Sequence, residues 1–419
     1  MKKLFLIIIV VGLIYFGYRH FISKDTSKEE KFIYADILDN IKGELSFKDF
    51  TIYGKHLNFK GDLPEIDGNF TLVLKNELEE IPLKNIIKEK DFFKTNDKIN
   101  EGINLENFKI GNYLLLLKNN QDNTYYTLIN KSSYHDNTYY TLTKEGKNNL
   151  ITFNDLKYQE KSYFQINIQE EKLPDNIYDV VIDPGHGGVD TGASNGKYYE
   201  SKYTLEYSLA LKEALEKEGI KVKLTRETNS GIDHYGEGSR TGIPYEVKAK
   251  LMFSIHFNSS DYANQKGVEI YRAYNSTNDF AKSLADNIVK EVGTVYSNNS
   301  ENKVIDGVYM RVYSPKDIKS LENDAKKNNY EPYVLTDHVT YYYFIRETGG
   351  IMTNAFSDGR NPKYKANPYR DSNQAVEAYL CELAYISQKD DLNSILNNKE
   401  KYVEALKKSI LTYVNEVSS

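Results

Sequence analysis

The sequence contains one cysteine, no tryptophan and no excess of positive charge. With Cys381 alone, an internal disulfide and a zinc cage built from cysteines are both excluded. The formal net charge of -6 argues against a nucleic-acid partner, because no basic domain stands out. The cysteine count leaves the compartment open, because exported proteins without disulfides are common in bacteria that do not rely on oxidative folding. The 419 residues are enough for two ordinary domains.

The N-terminus has the pattern of a membrane anchor. Lys2 and Lys3 precede an unbroken apolar run over residues 4–18. Extended to Ile22, a helix of this length spans roughly 28 Å, close to the hydrocarbon thickness of a bilayer. The leading lysines place the N-terminus in the cytoplasm and the rest of the chain outside. No small-x-small cleavage site follows, so we predict a single-pass signal anchor over residues 1–22 in the cell membrane. The alternative is secretion after signal cleavage.

The next region is predicted to be rich in β-strands. Residues 23–45 are polar and lysine-rich and are interpreted as a linker. From residue 46 to 170, short aromatic and β-branched segments alternate with Asn, Asp, Gly and Lys clusters, which predicts a small β-rich, sandwich-like domain. The string Tyr-Tyr-Thr-Leu begins at residues 125 and 139, and a hairpin is the favoured interpretation. The residues of this domain do not indicate its function.

A different pattern begins near residue 176. Strand-like segments at 178–183 and 251–257 alternate with an amphipathic helical segment at 200–219, which is typical of an α/β sheet. A last strand at 379–386 precedes a closing helix. We therefore predict an α/β domain over residues 176–419.

Three residues of this half are candidate metal ligands. His186 lies in a glycine-rich turn after the first strand, Glu200 at the start of the amphipathic helix, and His256 at the end of an apolar strand. Ligands of open α/β sheets bind outside the carboxyl ends of the strands, where both histidines fall. Two imidazoles and one carboxylate form the ligand set of a hydrolytic zinc site, which leaves the fourth position for water.

A fourth candidate, Glu382, lies within an otherwise apolar strand, where a carboxylate is costly unless it is paired or functional. A general base beside the metal is what amide hydrolysis requires. Each of the four residues alone also has an ordinary structural explanation, as a turn, helix-start, core or solvent-facing residue. Their joint occurrence in this order favours a functional site. The remaining histidines lack such settings and are interpreted as surface or loop residues: His20, His56, His135, His234 and His338.

The segments VVIDPGHGGVDTGA, FSIHFNSS, GVEIY and YLCELAYISQKDDL together resemble the zinc-dependent N-acetylmuramoyl-L-alanine amidases of the type 3 family. The resemblance covers roughly residues 176–417 and implies an open, twisted sheet flanked by helices. It implies one Zn²⁺ held by His186, Glu200 and His256, with Glu382 as the general acid/base. The implied substrate is peptidoglycan, cut between the lactyl group of N-acetylmuramic acid and the L-alanine of the stem peptide. Arg226 matches a recurring family arginine and is interpreted as structural.

Residues 302–371 exceed the family core and are rich in Tyr, Arg and Asn. This insert is interpreted as a substrate-groove wall or a regulatory lid, with a surface elaboration without a role as the alternative. Two other functions stay open: a zinc peptidase that cuts within the stem peptide, and a catalytically silent wall-binding or scaffold protein. A protein activator is a possible further partner that the sequence does not name.

Overall fold

The computed structural model describes residues 40–133, 136–158, 160–329, 339–348 and 372–415. The predicted anchor at 1–22 and most of the predicted linker lie outside these ranges. Among the described helices, none is both long enough and apolar enough to cross a membrane.

The regular elements of the N-terminal half of the described chain are mainly strands. Two short 3-10 helices, Ile99–Glu101 and Leu105–Asn107, interrupt them. The strands are β1 (Ile41–Tyr53), β2 (His56–Asp62), β3 (Phe70–Lys75), β4 (Glu80–Asn85), β5 (Ile87–Lys88), β6 (Phe92–Lys94), β7 (Ile103–Asn104), β8 (Gly111–Asn119), β9 (Thr124–Asn130), β10 (Thr138–Tyr140), β11 (Asn148–Tyr158) and β12 (Lys161–Glu171).

The prediction of a β-rich region is confirmed, but its strands join one hydrogen-bonded network instead of two separate sheets. The main order is β10-β11-β12-β8-β9-β1-β2-β6-β5, with β3 between β4 and β8, and β7 beside β2. Phenylalanine rings from several strands pack edge-on or stacked in its core, among them Phe47, Phe50, Phe59 and Phe164. Such aromatic pairs add to the stabilisation that burial of their apolar surface provides.

Two details of this region differ from the sequence prediction. The first strand begins at Ile41, within the predicted linker. Its first residues alternate between half-buried and exposed positions, so the segment is partly polar and resembles a linker in sequence. The predicted hairpin between residues 125 and 139 is wrong. β9 pairs with β8 and β1, whereas β10 pairs with β11, so β9 and β10 do not pair with each other.

The C-terminal half alternates strands and helices. Its strands are β13 (Val180–Pro184), β14 (Ser194–Asn195), β15 (Tyr198–Tyr199), β16 (Val222–Leu224), β17 (Leu251–Asn258), β18 (Glu269–Tyr271), β19 (Lys303–Ile305), β20 (Val308–Tyr309), β21 (Gln374–Ala375) and β22 (Glu377–Tyr385). Its helices are α1 (Glu200–Glu216), α2 (Ile243–Glu246), α3 (Asp279–Val292), α4 (Pro315–Asn328), α5 (Tyr343–Thr348), α6 (Lys389–Asn397) and α7 (Lys399–Asn415).

Seven of these strands form a mixed sheet in the order β16-β13-β17-β22-β18-β20-β19. The four strands from β16 to β22 are parallel, and β18 runs antiparallel to β22. The central strands β13, β17 and β22 are buried along almost their whole length, as expected for parallel strands covered on both faces. The predicted α/β fold with an open sheet is therefore confirmed.

Different helices pack on the two faces of this sheet. Helices α1, α3 and α7 pack on one face, where Leu211, Leu284 and Leu406 join the largest apolar cluster. Helix α5, which belongs to the insert, packs on the other face through Phe344 and Ile345. This helix of the insert is thus part of the second apolar layer and lies over β22.

The two halves of the chain are packed against each other at the turn between β1 and β2. Gly54 has a φ of +58°, and a Cβ atom there would lie 2.7 Å from the hydroxyl of Tyr413, so the close approach favours glycine. Lys55 donates a hydrogen bond of 2.7 Å to the backbone oxygen of Tyr413. Strand β21 adds to β1 in parallel. The β-rich half is therefore joined to the α/β half by buried contacts.

His56, at the start of β2, makes the stability of the chain depend on pH. Burial and the neighbouring Lys55 ammonium lower the pKa of His56 to about 3. In the unfolded chain the pKa of histidine is about 6.5, so below this pH His56 binds a proton in the unfolded state but stays neutral in the folded state. We expect the free energy of unfolding to fall by about 2 kcal/mol between pH 7.5 and pH 5 through this residue alone.

Chemical denaturation of the wild type and of His56→Gln at both pH values measures this contribution. All other titrations cancel in the difference between the two proteins. If the free energies of unfolding of the two proteins differ by the same amount at pH 7.5 and at pH 5, His56 is not the source of the pH dependence.

Candidate metal centre

The three predicted metal ligands come from three different elements at the carboxyl edge of the central strands. His186 lies two residues after β13, Glu200 is the first residue of α1, and His256 lies near the end of β17. His186 has a φ of +59°, which residues other than glycine rarely adopt, and such strained residues cluster at functional sites. A Cβ atom on Gly185 would lie 2.3 Å from the His256 ring, so the glycine allows the two histidines to approach.

Glu200 lies between the two imidazoles. One of its oxygens, Oε2, is 3.1 Å from Nε2 of His186, and the other, Oε1, is 2.9 Å from Nδ1 of His256. The backbone N–H groups of Ala193 and Phe257 donate to the same carboxylate at 2.8 Å and 3.0 Å. Although burial favours the neutral form, the two histidines hold the pKa of Glu200 well below its usual value. The carboxylate is therefore a fixed anion between two rings.

Asp190 holds the far side of the His186 ring. Its Oδ2 lies 2.8 Å from Nδ1 of His186, which leaves Nε2 directed towards Glu200. Burial opposes the charged imidazole, but Glu200 and Asp190 outweigh it and raise the pKa of His186. A carboxylate behind a metal-ligating histidine fixes the orientation and tautomer of the ring and raises its basicity.

The three side chains fit a zinc ion. One ligand atom from each of His186, Glu200 and His256 can be chosen so that all lie within 4.8 Å of one another. Zinc ligands at about 2.1 Å in a tetrahedron lie roughly 3.4 Å apart, close to the 2.9 Å and 3.1 Å separations observed here. The donor set of two imidazoles and one carboxylate is that of hydrolytic zinc sites.

Glu382 lies next to these residues across the sheet. On β22 it is opposite His256 of β17 on one side and Glu269 of β18 on the other. Burial, Glu200 and Glu269 all raise the pKa of Glu382. Its Oε2 is buried and has no hydrogen-bond partner among the described groups. A buried carboxyl oxygen without a partner among the described groups, beside a candidate metal site, is suited to exchange a proton with a reacting molecule.

The cluster faces a cavity of about 380 Å³. Besides the four predicted residues, its lining includes Asp190, His234, Arg240, Tyr342 and Tyr343. Arg240 forms a buried ion pair with Asp183 and donates to the backbone oxygen of His186, which holds the glycine-rich turn in place. The cavity therefore combines metal-type ligands with polar and aromatic walls.

The structure brings all four predicted residues together and adds others that the sequence prediction missed. His234 is an exposed loop residue, as predicted, but its ring also lines the cavity and stacks on Tyr343 with centroids 4.6 Å apart. The prediction of a surface or loop residue is wrong for His56, which is half-buried at the start of strand β2. His20, His135 and His338 lie outside the described residues. Arg226 donates to the backbone oxygens of Pro184, Gly185, Ser201 and Thr228, as expected for a structural arginine.

Asp190 provides a test of the geometry around His186. We expect Asp190→Asn to weaken zinc affinity by about 10- to 100-fold, because an amide supports the His186 imidazole less well than a carboxylate. Competition with a zinc chelator measures the affinity. The matched control is Asp261→Asn, which removes an exposed carboxylate that does not line the cavity. Equal affinities for all three proteins would show that Asp190 does not support a metal ligand.

An α/β sheet that brings two imidazoles and one carboxylate together at its carboxyl edge is the arrangement of a metallohydrolase domain. Residues 180–332 match the model of the N-acetylmuramoyl-L-alanine amidase family. The predicted resemblance to this family is confirmed over that range. The matched range contains the three candidate ligands and ends before β22, which carries Glu382.

The curated proteins that this chain resembles include probable cell wall amidases. The probable cell wall amidase LytH of Staphylococcus aureus is 32% identical over 125 residues. That alignment covers 29% of this chain and 40% of the relative, so the chain spans less than half the length of the curated relatives it matches.

Solved amidase structures are also similar. One is the catalytic domain of CwlV from Bacillus (Paenibacillus) polymyxa var. colistinus, with 19% identity, a TM-score of 0.39, and coverage of 57% of this chain and 99% of that domain. Another is AmiC2 of Nostoc punctiforme, with 22% identity, a TM-score of 0.37, and coverage of 57% of this chain and 98% of that chain.

Proposed function

We propose that this protein is a zinc-dependent N-acetylmuramoyl-L-alanine amidase that acts on peptidoglycan. The reaction is hydrolysis of the amide bond between the lactyl group of N-acetylmuramic acid and the L-alanine of the stem peptide. The observation that carries the proposal is the cluster of His186, Glu200 and His256 beside Glu382 in one cavity, within a domain that matches the amidase family.

Each residue of the cluster has a defined task. His186, Glu200 and His256 would hold a zinc ion, and Asp190 orients His186. When bound, the ion would supply Lewis acidity, which would activate water near neutral pH and polarise the scissile carbonyl. Glu382 accepts the proton of the attacking water and passes it to the departing amine of L-alanine. The raised pKa of Glu382 suits this exchange, because the group can carry the proton between the two steps.

Digestion of purified peptidoglycan with the full-length chain tests this function. We expect free stem peptides that begin with L-alanine, released in the presence of zinc and not in the presence of a chelator. Mass spectrometry identifies the products. Shorter fragments that leave alanine on muramic acid would instead show a peptidase. Zinc binding without any release would favour a wall-binding protein or a requirement for a protein activator.

We also propose that residues 1–22 remain as a single-pass anchor with both folded halves outside the cytoplasmic membrane, where peptidoglycan lies. The apolar run and the preceding lysines support this orientation. Membrane fractionation with protease treatment of intact protoplasts tests it. A protease-resistant, membrane-bound chain would contradict the orientation, and a chain found only in the medium would contradict retention.

A further inference from the structure

The insert contributes a tyrosine to the wall of the candidate active site. Tyr342 directly precedes helix α5 and lies beyond the range that matches the amidase family. It lines the same cavity as Glu382 and His256. Alternation along β22 explains the proximity, because Glu382 and Leu380 share a face of the strand, and α5 packs against that face. The ring of Tyr342 also packs edge-on against Tyr271, with centroids 4.8 Å apart.

The backbone before Tyr342 is held firmly. Arg346, which is 2% exposed, donates to the backbone oxygens of Thr340 and Tyr341 at 3.0 Å and 2.8 Å. The same guanidinium pairs with Glu347 at 2.8 Å, and Tyr245 donates to the backbone oxygen of Glu347. These bonds fix the residues on both sides of Tyr342, so its side chain enters the cavity from a preorganised segment.

The hydroxyl of Tyr342 is a neutral hydrogen-bond donor at physiological pH. Burial and the nearby Glu382 carboxyl raise the pKa of Tyr342 to about 12, although Tyr271 and Arg311 act in the opposite direction. Tyr271 has one hydroxyl proton and donates it to Oε2 of Glu269 at 2.7 Å. In the hydrogen bond between the two tyrosines, Tyr342 is therefore the donor and Tyr271 the acceptor. A group bound in the cavity can accept this proton of Tyr342 in place of the Tyr271 oxygen.

Amide hydrolysis is accelerated by a hydrogen-bond donor at the oxygen of the scissile carbonyl. When water attacks the scissile carbonyl, its oxygen gains negative charge, and preorganised donors that meet this charge stabilise the transition state more than the substrate. We propose that Tyr342 is a catalytic residue whose phenol donates a hydrogen bond to the oxygen of the scissile carbonyl as that oxygen becomes negatively charged. Tyr342 keeps its proton throughout, so Glu382 alone transfers protons. The inference rests on the proposed amidase function.

Tyr342→Phe tests this role in the full-length, zinc-loaded chain. On a soluble N-acetylmuramoyl-L-alanyl peptide we expect kcat to fall by about 100-fold, while KM changes by less than about threefold. The matched control is Tyr341→Phe, which removes the same hydroxyl from the preceding residue of the insert, a residue that does not line the cavity. We expect this control to behave like the wild type.

Two further measurements separate catalysis from structure. A phosphinate analogue of the scissile amide presents a tetrahedral, negatively charged centre, and we expect Tyr342→Phe to weaken its binding by a factor similar to the loss in kcat. Substrate binding, measured in the inactive Glu382→Gln background, should be unchanged by Tyr342→Phe. Zinc content and the melting temperature should also match the wild type.

Unchanged kcat and unchanged phosphinate binding in Tyr342→Phe would overturn the proposal and leave the amidase function standing. A loss of kcat with unchanged phosphinate affinity, or with a loss of zinc or of thermal stability, would assign Tyr342 a structural role and also overturn it. If the wild type does not hydrolyse the substrate, the proposed function fails, and the role of Tyr342 fails with it.

Discussion

Glu382→Gln is expected to abolish hydrolysis while leaving the metal in place. The substitution keeps the size of the side chain but removes the group that accepts a proton from water and donates it to the amine. Loss of a general acid/base costs about 10²- to 10⁴-fold in rate, and here one residue performs both steps, so we expect kcat to fall by about 10³-fold or more. Initial rates on a soluble muropeptide measure the effect, and elemental analysis measures the zinc content.

The control for this variant is Glu206→Gln on α1. Glu206 is exposed in part and does not line the cavity, so its substitution changes the net charge equally without reaching the site. Activity close to that of the wild type in Glu382→Gln would contradict the acid/base role. Loss of zinc together with activity would show instead that Glu382 contributes to metal binding.

His256→Ala is expected to remove zinc and activity together. The substitution leaves two of the three protein ligands, and it deprives the buried Glu200 carboxylate of its contact with Nδ1 of His256. We expect the zinc content to fall from about one ion per chain to near zero at micromolar free zinc. Elemental analysis after gel filtration measures the content, and the peptidoglycan digest reports the activity.

His234→Ala is the matched control, because it removes another imidazole from the same cavity that is not part of the His–Glu–His cluster. We expect it to retain zinc. Stoichiometric zinc in His256→Ala, or a loss of zinc in His234→Ala that equals that in His256→Ala, would contradict the assignment of the ligands.

Much of this site was predictable because it depends on short segments. The glycine-rich turn around His186 and the apolar strand that ends near His256 are local patterns, and parallel strands bring their carboxyl ends to one edge. Glu382 was detectable because a carboxylate buried in an apolar strand costs free energy unless it is paired or functional. The pairing of β17 with β22, which places Glu382 opposite His256, is the long-range step that only the structure shows.

The contributions of the insert and of the interface between the halves were not predictable in this way. Tyr342 and His234 reach the cavity through loops and a short helix that have no regular pattern in sequence. The first residues of β1 were assigned to a linker because an alternating, half-polar strand resembles a polar linker in composition. Residues 330–338 and 349–371 of the insert lie outside the described residues, and the role of the insert at 302–371 as a groove wall or lid stays a prediction.

The most direct test of the account is hydrolysis of one purified disaccharide-peptide muropeptide in water enriched in ¹⁸O, followed by mass spectrometry. Attack on the lactyl carbonyl inserts one ¹⁸O into the muramic acid product and releases an unlabelled peptide with a free L-alanine amine. We expect this labelling pattern in the presence of zinc. An ¹⁸O atom in the new carboxyl group of a muramic acid product that retains alanine, with release of a shorter unlabelled peptide, would contradict the amidase assignment.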